Sequence, residues 1–240
     1  MTRSRLPYLL LCGLFLVSTA CASGSTTSQP ATVSSPRPAP TATATVQPTA
    51  SSLPAGTVLY EADWSKGLSQ WQASGGWQVT QGQVEVAANG LSKIIIPYRP
   101  HVANYAIEVR LEVVSLIQGE GGYWTIFAQR QPGKDGFQAG ALGLKGTEER
   151  MSGSHGQAQV YFDPLTAMAP GIGTPVDYDP GFKWHIYRVE VYENSVRLRD
   201  NGVQLAYGSS EDADYISNGP LGLECERLVV RISSIRILAL

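Results

Sequence analysis

Two short stretches gather the side chains best suited to hold a polar ligand. In Tyr123-Trp124-Thr125-Ile126-Phe127-Ala128-Gln129, the residues Tyr123, Thr125 and Gln129 fall on one set of alternate positions, with Phe127 among them. In Gln157-Ala158-Gln159-Val160-Tyr161-Phe162-Asp163, the residues Gln157, Gln159, Tyr161 and Asp163 do the same. Spacing of two puts each set on one face of an extended strand. Trp124, Ile126, Ala128, Ala158, Val160 and Phe162 are left for the opposite, apolar face. Aromatic faces pack on C–H surfaces, while amides, hydroxyls and carboxylates exchange hydrogen bonds with hydroxyl groups. Such a surface suits a sugar. It also suits an ordinary sheet face stabilised by cross-strand Thr, Gln and Tyr pairs, and alternation alone leaves both readings open.

Catalytic constellations are sparse by comparison. Glu108 and Glu112 share a strand face with Arg110 between them, which reads as a solvated face and not as an acid pair. Glu148-Glu149-Arg150 belongs to a loop. His101, His155 and His185 form no metal-spaced cluster, and no Gly-x-Ser-x-Gly elbow is present. The acidic run Glu211-Asp212-Ala213-Asp214 offers oxygens to Ca²⁺, but its spacing matches no dedicated loop and it reads as a solvated run. No residue is therefore assigned to catalysis and no cofactor or metal is assigned, Ca²⁺ being the one cation left open. Trp64, Trp71, Trp77, Trp124 and Trp184 sit beside apolar neighbours and are read as core or rim packing.

The elements that must position these groups are strands. Tyr105, Ile107, Val109, Leu111 and Val113 alternate with Ala106, Glu108, Arg110 and Glu112. From Trp184 to Tyr207 the chain writes out a meander: Tyr187, Val189 and Val191, a turn at Glu193-Asn194, then Val196 and Leu198. Asp200-Asn201-Gly202 is a tight-turn signal, and Val203 and Leu205 open a third strand. Further strands are expected at Val58–Tyr60, Trp77–Val79, Val84–Val86, Phe137–Leu144, Leu221–Cys225 and Leu228–Leu240. The last, with Val229, Ile232, Ile235 and Ile237 inward, is read as bulged. Lys93-Ile94-Ile95-Ile96 reads as a strand buried on both faces. Helical periodicity is sustained nowhere, so the fold class is all-β, an antiparallel two-sheet sandwich. The Gly- and Pro-rich excursion between Lys145 and Lys183 carries Asp177, Tyr178 and Asp179, which could edge a cleft.

The N-terminal quarter is not domain material. Arg3 and Arg5 precede an apolar run from Leu6 to Val17, and Ser18-Thr19-Ala20 lead to Cys21, the pattern of a signal peptide over residues 1–20. That run is shorter than the ~20 residues needed to span a bilayer. Residues 21–54 are rich in Ser, Thr, Pro and Ala with Arg37 as their single charge, a composition expected to form a disordered, extended tether. Residues 55–240 are left as one domain. Losing Arg3 and Arg5 with the leader takes the formal charge from −2 to −4, with no basic footprint for nucleic acid. The three cysteines are Cys12, Cys21 and Cys225; Cys225 shares a strand face with Leu221 and Leu223 and is read as core.

Two resemblances add to this. Val17-Ser18-Thr19-Ala20-Cys21 resembles the lipobox of bacterial lipoproteins, which implies cleavage before Cys21, lipidation of its thiol and a membrane-anchored protein on the extracytoplasmic side. With Cys12 removed and Cys21 modified, Cys225 has no disulfide partner. Leu59-Tyr60-Glu61-Ala62-Asp63-Trp64 with Gly67-Leu68 and Gly76-Trp77, Gly121 to Arg130, the Trp184–Gly202 meander, and Gly219-Pro220-Leu221-Gly222-Leu223 are together similar to concanavalin A-like lectin/glucanase domains. That resemblance covers Val58 to Leu240 and implies a jelly roll. It implies a non-catalytic glycan-binding module, with Tyr123, Thr125, Gln129, Gln157, Gln159, Tyr161 and Asp163 on a concave sheet face. The expected partners are an extracellular or cell-wall glycan and, through the lipid, the cell membrane. The chain is expected to be a monomer with no nucleic-acid partner. Two alternatives stand beside this reading. One is a glycoside-processing enzyme resembling 3-keto-disaccharide hydrolases and using Asp163, Asp177 or Glu148. The other is a protein-binding adhesion or scaffold module.

Overall fold

The computed structural model describes residues 53–117, 121–146, 156–163, 174–210 and 214–240. The leader, Cys21, the proposed tether up to residue 52, Glu148, His155 and residues 211–213 of the acidic run lie outside these residues. Among the described residues, fifteen strands and one 3₁₀ turn at Trp64–Lys66 build two sheets in which every strand pair is antiparallel.

The first sheet runs β13 (Val203–Ser209), β12 (Ser195–Asp200), β11 (Trp184–Tyr192), β6 (Tyr105–Leu116), β15 (Leu228–Ala239), β4 (Gln83–Ala88) and β3 (Gln78–Thr80). Strand β1 (Val58–Glu61) lies beside the C-terminal half of β15. The second sheet runs β10 (Val176–Tyr178), β9 (Gly156–Asp163), β8 (Gly136–Leu144), β7 (Gly122–Ala128), β14 (Leu221–Glu226), β5 (Ser92–Ile95) and β2 (Gln72–Ala73). The architecture is the antiparallel two-sheet jelly-roll sandwich expected from the strand pattern.

Alternation decides what each strand buries. Along β6, Tyr105, Ile107, Val109, Leu111 and Val113 are buried, while Glu108, Arg110 and Glu112 face out and meet Arg236, Arg188, Arg231 and Ser233. From the second sheet, Trp124, Ile126, Ala139, Ala141, Ala158, Val160, Leu221, Leu223 and Cys225 fill the same interior. Trp124 tilts against Tyr187 of the first sheet at 4.2 Å between ring centroids. Each large side chain so buried contributes about 1.5–3 kcal/mol by removal from water.

Three local expectations need correcting. In β15 the expected bulging is present, the register slipping between Val229 and Val230 and again between Ile232 and Ser234, but the residues turned inward are Leu228, Val230, Ile232, Ile235 and Ile237 and not Val229. In β5 only Ile94 is core; Lys93 and Ile95 sit half-buried on the opposite face. At the β11–β12 turn the left-handed residue is Glu193, with φ 52°, and not Asn194. The next turn matches expectation, with Asn201 at φ 46° and Gly202 at φ 85°.

Tyr178 differs from its reading as a cleft edge, and His185, for which spacing gave no role, joins it in a buried set. Tyr178 on β10 of the second sheet reaches the first, placing its hydroxyl 2.8 Å from that of Tyr187 and donating to Asp200 Oδ2 at 2.9 Å. His185 is buried, with Nδ1 2.7 Å from Asp200 Oδ1 and Nε2 2.7 Å from the Pro180 carbonyl. Buried polar groups persist when paired, and this set bridges the two sheets.

Candidate functional site

The outer face of the second sheet collects the residues singled out from the sequence. Its strands pair in register: Gln159 lies opposite Gly140, Gly140 opposite Thr125, and Thr125 opposite Glu224, which faces Lys93. The next row runs Tyr161, Gln138, Phe127, Gly222 and Ile95. Gln157 pairs with Leu142, Tyr123 with Glu226, and Asp163 with Gly136 at the far end of β9. Gln129 follows β7 directly, its backbone N–H donating to the Pro220 carbonyl at 2.9 Å. All seven positions therefore lie on β9 or β7, or just past the end of β7. Strand β8 separates the two, about 10 Å across at the usual strand spacing.

Glycines shape the floor between them. A Cβ on Gly140 would stand 2.0 Å from the Trp124 carbonyl oxygen and 2.7 Å from Thr125 Cα; one on Gly222 would stand 2.3 Å from the Ile94 carbonyl oxygen. The backbones of neighbouring strands approach too closely for any side chain there. The centre of the face is recessed: Thr125 is 0%, Gln159 6% and Glu224 8% exposed, whereas Gln157 is exposed and Tyr123, Gln138 and Tyr161 are half-buried.

Sequence reasoning missed the charged part of this site. Gln138 Nε2 donates to Glu224 Oε1 at 3.2 Å, Lys93 Nζ stands 3.7 Å from Glu224 Oε2, and the same ammonium lies 4.1 Å from the centre of the Phe127 ring. Burial pushes the Glu224 carboxyl above its ordinary range, and Lys93 only partly restores it. Burial, then the charges of Glu224 and Glu226, raise the Tyr123 hydroxyl to about 12. The Thr125 hydroxyl is buried with no hydrogen-bond partner, an arrangement that costs about 1–3 kcal/mol unless a ligand or water fills it. The available signal was the inward face of β14: assigning Leu221, Leu223 and Cys225 to the core turns Glu224 and Glu226 outward. Beside Ile95, a depression of about 260 Å³ is bounded by Gln72, Pro97, Arg99 and Pro220.

Other candidates fall elsewhere. Asp177 is exposed on β10, and Asp179 Oδ1 accepts the Gly181 N–H at 2.8 Å. Among the described residues no group of three or more His, Cys, Asp or Glu is placed to hold a metal ion. Burial, then the Glu224 charge, raise the Cys225 thiol to about 12.

No protein-family profile matches the chain, and no curated protein matches it. Solved structures do resemble it. A galectin-like-fold protein of unknown function from Bacillus subtilis is 12% identical, with a TM-score of 0.55 over 77% of this chain and 97% of that one. An immunostimulatory antigen and pseudo beta-1,3-glucanase of Mycobacterium tuberculosis is 12% identical, with a TM-score of 0.52 over 77% and 100%. The carbohydrate-binding module CBM66 from Bacillus subtilis is 13% identical, with a TM-score of 0.51 over 70% and 95%. At these identities the likeness is one of fold.

Proposed function

We propose that the chain is an exported, lipid-anchored protein whose jelly-roll domain binds a glycan, without turning it over, on the outer face of the second sheet. The observation that carries this is the row of accessible polar and aromatic side chains on one sheet face, half-buried Tyr123, Gln138 and Tyr161 and exposed Gln157, around the Gln138–Glu224–Lys93 set and above a floor kept low by Gly140 and Gly222. Polar groups held in place by their neighbours, with the half-buried rings of Tyr123 and Tyr161 around them, give a sugar both hydrogen bonds and apolar contact. The presence of a carbohydrate-binding module among the similar folds supports the reading. Membrane attachment through Cys21 rests on the lipobox resemblance.

A glycan array probed with the purified protein tests this. Binding of at least one glycan class is expected, weakened about tenfold or more by Tyr161→Ala or Gln129→Ala, while circular dichroism stays unchanged. Binding that survives both substitutions rejects this face as the site.

One observation favours a second reading, a glycoside-processing enzyme. Glu224 has the raised carboxyl expected of a general acid, and Glu226 lies two residues along on the same face of β14. Release of new reducing ends from a bound glycan, abolished by Glu224→Gln, would establish it in place of simple binding.

A further inference from the structure

The outer face of the first sheet carries a second arrangement, independent of the glycan face and on the opposite side of the sandwich. Glu190 on β11, Arg197 on β12 and Tyr207 on β13 form one cross-strand row, and Tyr192 pairs with Ser195 in the next. Together with Ala55 and Leu240, these five residues line a depression of about 340 Å³. Both rings are open to solvent, Tyr192 at 54% and Tyr207 at 44% exposure, and the Arg197 side chain between them is 41% exposed.

Arg197 is under-used. The Glu190 carboxylate already accepts hydrogen bonds from Arg188 Nε and Arg199 Nε, each at 3.0 Å. Partial burial would raise the Glu190 carboxyl, but those two bonds outweigh it and hold it below its ordinary range. Arg197 reaches the same carboxylate only loosely, at 3.6 Å, and its remaining contact is with the Tyr207 ring, 5.8 Å from guanidinium carbon to ring centre. Its Nε is buried with no acceptor, so among the described residues this guanidinium makes no hydrogen bond. Arg188 and Arg199 of the adjoining row and Arg197 thus share one carboxylate, and the surface around Glu190 carries more positive charge than that carboxylate neutralises. Arg188 is further shared with Glu108, at 3.5 Å, which leaves Arg197 as the cation with capacity to spare.

We propose that Arg197, with Tyr192 and Tyr207, forms a second binding site that takes a carboxylate-bearing saccharide. A planar guanidinium with free donors matches the two oxygens of a carboxylate. A neutral sugar would leave it unpaired, and a cation would be repelled. The two exposed phenol rings offer faces to the C–H surface of a pyranose. The volume lies at the small end of ligand pockets, which suits one or two sugar units and not a long chain.

Isothermal titration of the purified protein with digalacturonate, against its dimethyl ester, tests the assignment. Digalacturonate is expected to bind, and both the ester and the Arg197→Ala variant to lose about tenfold or more in affinity. Arg197→Lys keeps the charge and the aliphatic stem, which guards against misfolding, and should recover only part of the loss. Gln159→Ala, on the other sheet, should leave digalacturonate binding unchanged, so this site and the glycan face stand or fall separately. The proposal is overturned if digalacturonate does not bind, or if the ester binds equally. It is likewise overturned if Arg197→Ala has no effect, or if inorganic phosphate and tetraglutamate bind as tightly through Arg197, which would make it a general anion site.

Discussion

Glu224 is the residue on which stability and function pull in opposite directions. Its carboxyl is raised by burial, so the native state holds this proton to a higher pH than the unfolded chain does. Where the native state binds more protons, stability falls as pH rises. The contribution of Glu224 is therefore least unfavourable below its unfolded value, worsens as pH climbs through the raised native value, and stays at its full cost above that. Glu224→Gln removes the buried charge while keeping a partner for Gln138, and it leaves Lys93 partly in solvent. Because burial outweighs the Lys93 charge in raising this carboxyl, the variant is expected to be more stable than the parent at neutral pH and indistinguishable from it well below the unfolded value, as read by thermal melts across pH. The same variant should lose affinity on the glycan array. Under the proposed function this buried carboxylate serves the ligand at a cost in stability, and a Glu224→Gln protein that is both less stable and fully competent would contradict this. Cys225, on the inward side of the same strand, is the opposite kind of residue: buried, apolar in behaviour and with its thiol raised to about 12.

At the scale of strands, the site depends on how closely β7 and β8 approach. Gly140 carries no side chain because the Trp124 carbonyl and Thr125 Cα occupy the space. Gly140→Ala places a methyl against backbone, which cannot rotate away as a side-chain end can. The expected cost is about 2–3 kcal/mol, seen as a lowered denaturation midpoint, together with weakened glycan binding as Thr125 shifts. An equally stable Gly140→Ala protein would mean that the two strands part without strain. This element also marks how far the sequence could be read. Alternation was enough to assign the two faces from Trp124 to Ala128 and along Gln157–Asp163, because the pairing with β8 is unbroken there; a register shift lies between Gly122 and Trp124, at Tyr123. Alternation could not say that β8 lies between the two strands, nor that β14, some ninety residues downstream of β7, pairs with β7 and brings Glu224 beside Thr125. Neighbour relations among strands are set by topology, which local spacing does not encode. Where bulges do occur, as in β15, the parity reading failed at Val229. His185 was missed because its partner Asp200 lies on the next strand, fifteen residues away.

For the whole molecule, the question is how the domain is held where its ligand is. The backbone around β1 is tied to the end of β15, with Gly56 N–H donating to the Ala239 carbonyl at 2.8 Å and Ala239 N–H to that of Thr57 at 2.9 Å. The chain therefore enters the sandwich at the end of β15, in the first sheet, so a pull on residues 21–54 is borne by main-chain pairing and not by the glycan face. If those 34 residues adopt the extended form their Pro content favours, at about 3.1 Å per residue they reach on the order of 100 Å. The lipobox resemblance proposes attachment through a lipid on Cys21, and stable anchoring by lipid alone takes two or more acyl chains. Cys21→Ser in the full chain should abolish incorporation of labelled palmitate and move the protein from the membrane to the soluble fraction. Its glycan-array profile should stay the same, since all the residues proposed to contact glycan belong to the sandwich. Retention of the Cys21→Ser protein in washed membranes would place the anchor elsewhere. A changed glycan profile would show that the N-terminal segment itself contributes to binding.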